Sequence, residues 1–114
     1  MKDKRMLKRR HLIYYLRLLE QPGNRVVGYL VDITTEGFMM MSETPSEVGK
    51  KYKLKLLVND EHGDKRFMLF AAVCRWCKRS LNTIFYDAGF ELENISAKEF
   101  LGIRKMIKEL GFND

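Results

Sequence analysis

The hydrophobic period of this chain changes once, and that change limits what it can fold into. Up to Glu93, apolar residues come in short runs or alternate with polar ones. Turn formers interrupt them about every 8–12 residues, the spacing of a small all-β body. After Ser96 the apolar residues recur at helical spacing. The pattern therefore describes a β domain followed by one helix.

Six segments read as strands: 12–20, 25–33, 38–41, 52–58, 66–77 and 84–93. The fourth alternates most clearly, with Tyr52, Leu54 and Leu56 on one face and Lys53, Lys55 and Leu57 on the other. Gln21-Pro22-Gly23-Asn24 joins the first two as a hairpin. The 59–65 stretch, with Gly63, is a charged hairpin turn, and the long fifth strand is expected to bend near Ala71-Ala72. A helix is predicted over about 96–111. Ser96 and Glu99 form a capping box, and Ile95 and Phe100 occupy the staple positions across it. Phe100, Ile103, Ile107 and Leu110 make its apolar stripe, and Gly111 its C-terminal stop. Such strands build a small barrel or sandwich, with the helix over an open end or edge.

A chain of 114 residues is one domain with one core. Its 46% hydrophobic and 32% charged content argues against disorder. The net charge of +6 is localised. Residues 1–17 hold seven basic side chains and one acid, and the remaining fourteen basic and fourteen acidic side chains cancel. The organisation is thus a flexible basic arm at 1–11 and a neutral domain at 12–114. A concentrated basic arm seeks phosphate or acidic groups.

Cys74 and Cys77 are a single C-x-x-C pair inside an apolar run, on opposite faces of a regular strand. They read as structural thiols, and free thiols fit a reducing, cytoplasmic setting. With only His11 and His62 to add, no zinc spacing exists. The longest apolar run, Phe67 to Cys74, is far short of the ~18–20 residues that span a membrane. Arg17 interrupts the apolar stretch after the arm, and no small-residue cleavage site follows, so no signal peptide is read there. No nucleophile elbow, zinc-protease, Walker or dinucleotide motif is present. The expectation is a binding protein without a cofactor, not an enzyme.

The binding chemistry falls in two places. The turn Asp32-Ile33-Thr34-Thr35-Glu36-Gly37 offers a carboxylate that can accept two N–H donors from one planar edge, as guanine presents them. Thr34 adds a hydroxyl, and Gly37 permits a positive φ and a close approach to the backbone. The same residues also make an ordinary β-turn. The arm supplies the complement, since Arg5, Arg9 and Arg10 can fork to phosphate or guanine and stack on a base.

These elements together resemble the PilZ domain, the bacterial receptor module for cyclic di-GMP. That family pairs an R-x-x-x-R arm with a D/N-x-S-x-x-G turn. Asp32, Thr34 and Gly37 match the turn, with Thr for Ser. Gly28 to Asp32 looks like the family's second strand, and Val73 to Trp76 followed by Tyr86 to Leu92 like its last two. The resemblance implies a six-stranded antiparallel β-barrel with a C-terminal α-helix, a cyclic di-GMP ligand, a downstream protein partner, and roles in motility, biofilm matrix or virulence control. One departure stands out. Aligning Arg9 with the first motif arginine puts Ile13, which has no donor, at the second; the literal R-x-x-x-R at Arg5 and Arg9 lies one motif step upstream.

Two other readings compete. One is a degenerate PilZ-like adaptor that binds protein and ignores the nucleotide; its surface would include the Met39–Met41 run or the terminal helix. The other is general nucleic-acid binding through the arm with Tyr14 and Tyr15 as stacking residues. A charge-neutral barrel with no basic groove argues against it. Trp76, the one tryptophan, is read as a core or rim residue outside the site.

Overall fold

The computed structural model describes residues 16–59, 65–81 and 83–110. The arm, residues 12–15, the turn at 60–64 and Gly111 lie outside the described residues. Strands β1 (Leu16–Glu20), β2 (Val26–Ile33), β3 (Gly37–Ser42), β4 (Lys51–Asn59), β5 (Lys65–Arg79) and β6 (Tyr86–Leu92) precede helix α1 (Ala97–Leu110). All neighbouring pairs are antiparallel, in the order β1-β2-β3-β6-β5-β4. The sheet closes because β1 pairs with β4 as well, Leu18 opposite Leu56 and Glu20 opposite Leu54. Closure satisfies both edges, so the body is a barrel and not a sandwich.

One hydrophobic cluster fills the interior. Leu18, Leu30, Ile33, Leu54, Leu56 and Phe70 come from the strands, and Ile103, Met106 and Ile107 from the helix. Phe38 stacks on Phe90 with ring centroids 4.9 Å apart. Full burial of each aliphatic side chain stabilises by about 1.5–3 kcal/mol before entropy is counted. The helix starts as expected: the Ser96 N–H donates to Glu99 Oε1 at 2.8 Å, and the Glu99 N–H donates to Ser96 Oγ at 3.1 Å. Its buried stripe differs from the predicted one: Ile103 and Ile107 face the barrel as expected and Met106 joins them, whereas Phe100 stays 38% exposed; the Leu110 side chain lies outside the described residues.

Three β-bulges break the period-2 reading, and two of them shift a functional or reactive side chain. Between Leu30 and Asp32 the register slips against β3, so Leu30 faces Met40 but Asp32 faces Met39. Leu30 and Ile33 are therefore both buried, and Asp32 is turned to the outer side. Between Cys74 and Trp76 the register slips against β6. This is where β5 is irregular, rather than at Ala71-Ala72. Cys74 and Cys77 consequently both face inward, Cys74 fully buried and Cys77 against the core, instead of lying on opposite faces. Burial, reinforced by Cys77, pushes the Cys74 thiol up from its ordinary range. The third bulge lies between Leu18 and Leu19; both leucines are buried, but only Leu18 joins the interior cluster, and Leu19 stands opposite Lys55 of β4. Strand β6 begins later than predicted, because the Ser80 N–H bonds to the Phe85 carbonyl at 2.9 Å and leaves Ile84 in an exposed turn.

Candidate functional site

The predicted turn joins β2 to β3, and its polar groups are tied down. The Thr34 N–H donates to the Gly37 carbonyl at 2.8 Å. Thr34 Oγ1 accepts the N–H groups of Glu36 at 3.1 Å and Gly37 at 3.3 Å. The hydroxyl thus shapes the turn. Asp32 Oδ1 accepts the Ile33 N–H at 2.9 Å, which orients the carboxylate at the half-buried outer rim of β2. The Leu92 N–H bonds to the Glu36 carbonyl at 2.9 Å and anchors the turn to β6.

Gly37 is needed for a reason other than the one expected. The left-handed positions among the described residues are Asn94 and Gly49, not Gly37. A β-carbon on Gly37 would instead lie 2.1 Å from the Phe90 carbonyl oxygen. Glycine here lets β3 approach β6.

β1 begins at Leu16, opposite Leu30, so its first residue lies beside the Asp32 end of β2. Arg5, Arg9, Arg10 and Ile13 themselves lie outside the described residues. Arg17 is described, exposed, and pairs with Tyr29.

Register brings a further residue to this face. Asp32 faces Met39, Met39 faces Gly89, and Gly89 faces Trp76. These four form one outward row across β2, β3, β6 and β5. Three interstrand steps of ~4.8 Å separate its ends, and the indole reaches back over part of that span. A β-carbon on Gly89 would lie 2.0 Å from Trp76 Nε1, so the ring lies over the bare glycine backbone. Trp76 is 40% exposed, with the Lys78 ammonium 5.7 Å from its ring centroid. Reading the sequence alone left Trp76 out, because only the bulge before it and the pairing with Gly89 place it in the Asp32 row. The Met39–Met41 run is split by strand alternation: Met40 is buried, and Met39 and Met41 are half-buried on the outer face.

The PilZ domain family model matches residues 4–110, and the chain belongs to that family. Two solved structures share the fold. The Bacillus subtilis inhibitor of motility MotI/DgrA superposes with a TM-score of 0.69 at 15% identity, over 84% of this chain and 46% of that one. The PilZ domain of Escherichia coli YcgR, solved with c-di-GMP, superposes with a TM-score of 0.63 at 15% identity, over 84% of this chain and 80% of that one. The chain thus spans less than half of MotI. No curated protein matches it. Among the described residues, no helix is long and apolar enough to cross a membrane, and no group of three His, Cys, Asp or Glu side chains is placed to hold a metal.

Proposed function

We propose that the protein is a cyclic di-GMP receptor that passes the ligand's presence to a protein partner. One observation supports the reading: the outward row from Asp32 to Trp76 starts at the end of β2 beside which β1, the strand that follows the basic arm in the sequence, begins. In this mechanism Asp32 reads a guanine edge, and the turn that Thr34 and Gly37 shape presents it. Trp76 stacks on a base. Arg9 and Arg10, with Arg5, grip phosphate. Arg17 adds a cation on the same face, supplying charge where Ile13 has none. Ligand binding orders the arm against the barrel and creates a new surface, a transition driven by higher affinity for the ordered state. The YcgR domain solved with c-di-GMP and the motility inhibitor MotI support this chemistry and a motility output.

Calorimetric titration with cyclic di-GMP, against GTP and a short DNA duplex, tests it. Saturable micromolar binding of cyclic di-GMP alone is expected. Absence of heat at high micromolar ligand would sink the reading.

A second reading, an adaptor indifferent to the nucleotide, has its own observation. Phe67 and Leu69 are half exposed on the outer face of β5, beside Leu57 of β4. Retention of a protein partner by a chain that binds no cyclic di-GMP would favour it.

A further inference from the structure

The strands form a closed ring, but β5 is longer than its partner on one side. β4 pairs with β5 over residues 65–73, whereas β6 pairs with it only over 72–79. Residues 67–71 therefore have a strand neighbour on one side alone. Two bonds fix which way the backbone faces there. The Gln21 N–H donates to the Lys53 carbonyl at 3.1 Å, and the Glu93 N–H donates to the Ala71 carbonyl at 2.8 Å. The facing pair Lys53–Ala71 thus turns its carbonyls away from the β4–β5 ladder. Hydrogen-bonded and non-bonded pairs alternate along an antiparallel ladder. The β4–β5 register is unbroken, so Lys55–Leu69 and Leu57–Phe67 are non-bonded pairs as well. The N–H and C=O of Phe67 and Leu69 face the open side of β5, and no backbone bond reaches them there among the described residues.

Open strand edges are ordinarily blunted by charge, proline or a covering element. Phe67-Met68-Leu69-Phe70-Ala71 carries neither charge nor proline, and Phe67 and Leu69 are half exposed. Helix α1 does not close over this edge. A cleft of about 270 Å³ lies between residues 68–71 and the start of the helix, with Asn94, Ile95, Glu99 and Ile103 on its far side. A helix uses its backbone groups internally and cannot pair with a strand edge. An extended chain can, because its own N–H and C=O groups alternate with the same period. With the helix start as its far wall, the cleft has room for one extended chain and not for a second sheet. Leu69, Ile95 and Ile103 around it favour apolar side chains on that chain.

We propose that this edge of β5 binds an extended segment of a partner protein, which adds to the barrel as a further strand. The segment carries apolar side chains at alternate positions and no proline where it pairs. The proposal rests on the reading that the protein acts through a protein partner. Trp76 of the ligand row stands on the same strand, seven residues beyond Leu69. That is about 23 Å of extended chain, so partner and nucleotide are bound without competing.

The test uses the full chain labelled with nitrogen-15. Before any peptide is added, the Phe67 and Leu69 amides are expected to exchange with solvent faster than those of Met68 and Phe70, which bond to β4. Slow exchange at Phe67 and Leu69 would overturn the open edge. A library of random seven-residue peptides is then selected against the full chain, and the enriched peptides are synthesised. They are expected to protect the Phe67 and Leu69 amides. Copies N-methylated at one or the other alternate set of backbone nitrogens separate the two faces of the peptide, and one set is expected to bind at least tenfold more weakly. Leu69→Pro removes an N–H that the β4 ladder does not use, and a tenfold or greater loss of peptide affinity is expected with cyclic di-GMP binding unchanged. Should that variant unfold, the N-methylated peptides make the same comparison on the parent chain. No enriched peptide, protection elsewhere, or equal affinity of both N-methylated copies would each overturn the site. A natural partner that binds and leaves these amides unprotected would overturn the site and leave the partner reading standing.

Discussion

Trp76 lies over Gly89, its indole nitrogen occupying the space where any other residue would place a β-carbon. The pair exists because β5 and β6 hold the two residues in register, and because a bulge just before Trp76 turns it outward. Gly89→Ala is therefore expected to push the indole off the sheet. Overpacking of this kind costs about 1–3 kcal/mol. The chain's one tryptophan reports it directly. Its fluorescence is expected to shift to longer wavelength, with a lower melting temperature and weaker cyclic di-GMP binding. An unchanged emission spectrum would show that the ring does not rest on Gly89.

Asp32→Asn separates recognition from folding. Asparagine keeps an oxygen for the Ile33 N–H but removes the negative charge. Thermal stability is expected to stay within ~0.5 kcal/mol of the parent. Cyclic di-GMP affinity is expected to fall ten- to a hundredfold, corresponding to roughly 1–3 kcal/mol for a charge-assisted contact. Calorimetry with a parallel melting curve distinguishes the two effects.

Gly37→Ala has the opposite profile. The added carbon meets the Phe90 backbone oxygen, which cannot swing away as a side-chain tip would. The β3–β6 pairing must open locally, at a cost of about 2–4 kcal/mol. Denaturant unfolding is expected to show a large fall in midpoint. A neutral result would place the turn differently.

Cys74 makes stability depend on alkaline pH. Its folded pKa is raised, by burial first and by Cys77 second. The unfolded thiol therefore loses its proton first. Stability is complete below the ordinary thiol pKa of ~8.5 and declines as pH rises above it toward the folded value. Urea unfolding between neutral and alkaline pH is expected to show this decline. Thiol-reactive reagents should modify Cys77 first and Cys74 only on unfolding, since Cys74 is fully buried and Cys77 partly accessible.

Ser96→Ala removes one half of the capping box. The expected loss is about 1 kcal/mol. Because Ile103, Met106 and Ile107 are part of the single core, the loss is expected in the global melting transition and not as a separate fraying step. A biphasic melt would contradict that coupling.

Local rules determined much of this protein from sequence alone. The turn formers at 21–24, the alternation at Tyr52–Val58 and the Ser96–Glu99 pair depend on neighbours within a few residues, and each appears in the structure as read. The Asp32, Thr34 and Gly37 turn, taken with the arginine arm and the strand segments 28–32, 73–76 and 86–92, pointed to the family, because each of these signatures is local in the chain. Tertiary structure decided the rest. Barrel over sandwich came from the β1–β4 pairing, Leu18 opposite Leu56, a contact between segments too far apart in the sequence for any short window to contain. The bulges before Asp32 and Trp76 change which side chains face outward, and a bulge is set by the partner strand's register rather than by the bulged strand's own period. The Asp32–Trp76 row follows from that register: it gathers residues from four strands, and only the pairing of β2, β3, β6 and β5 makes them neighbours.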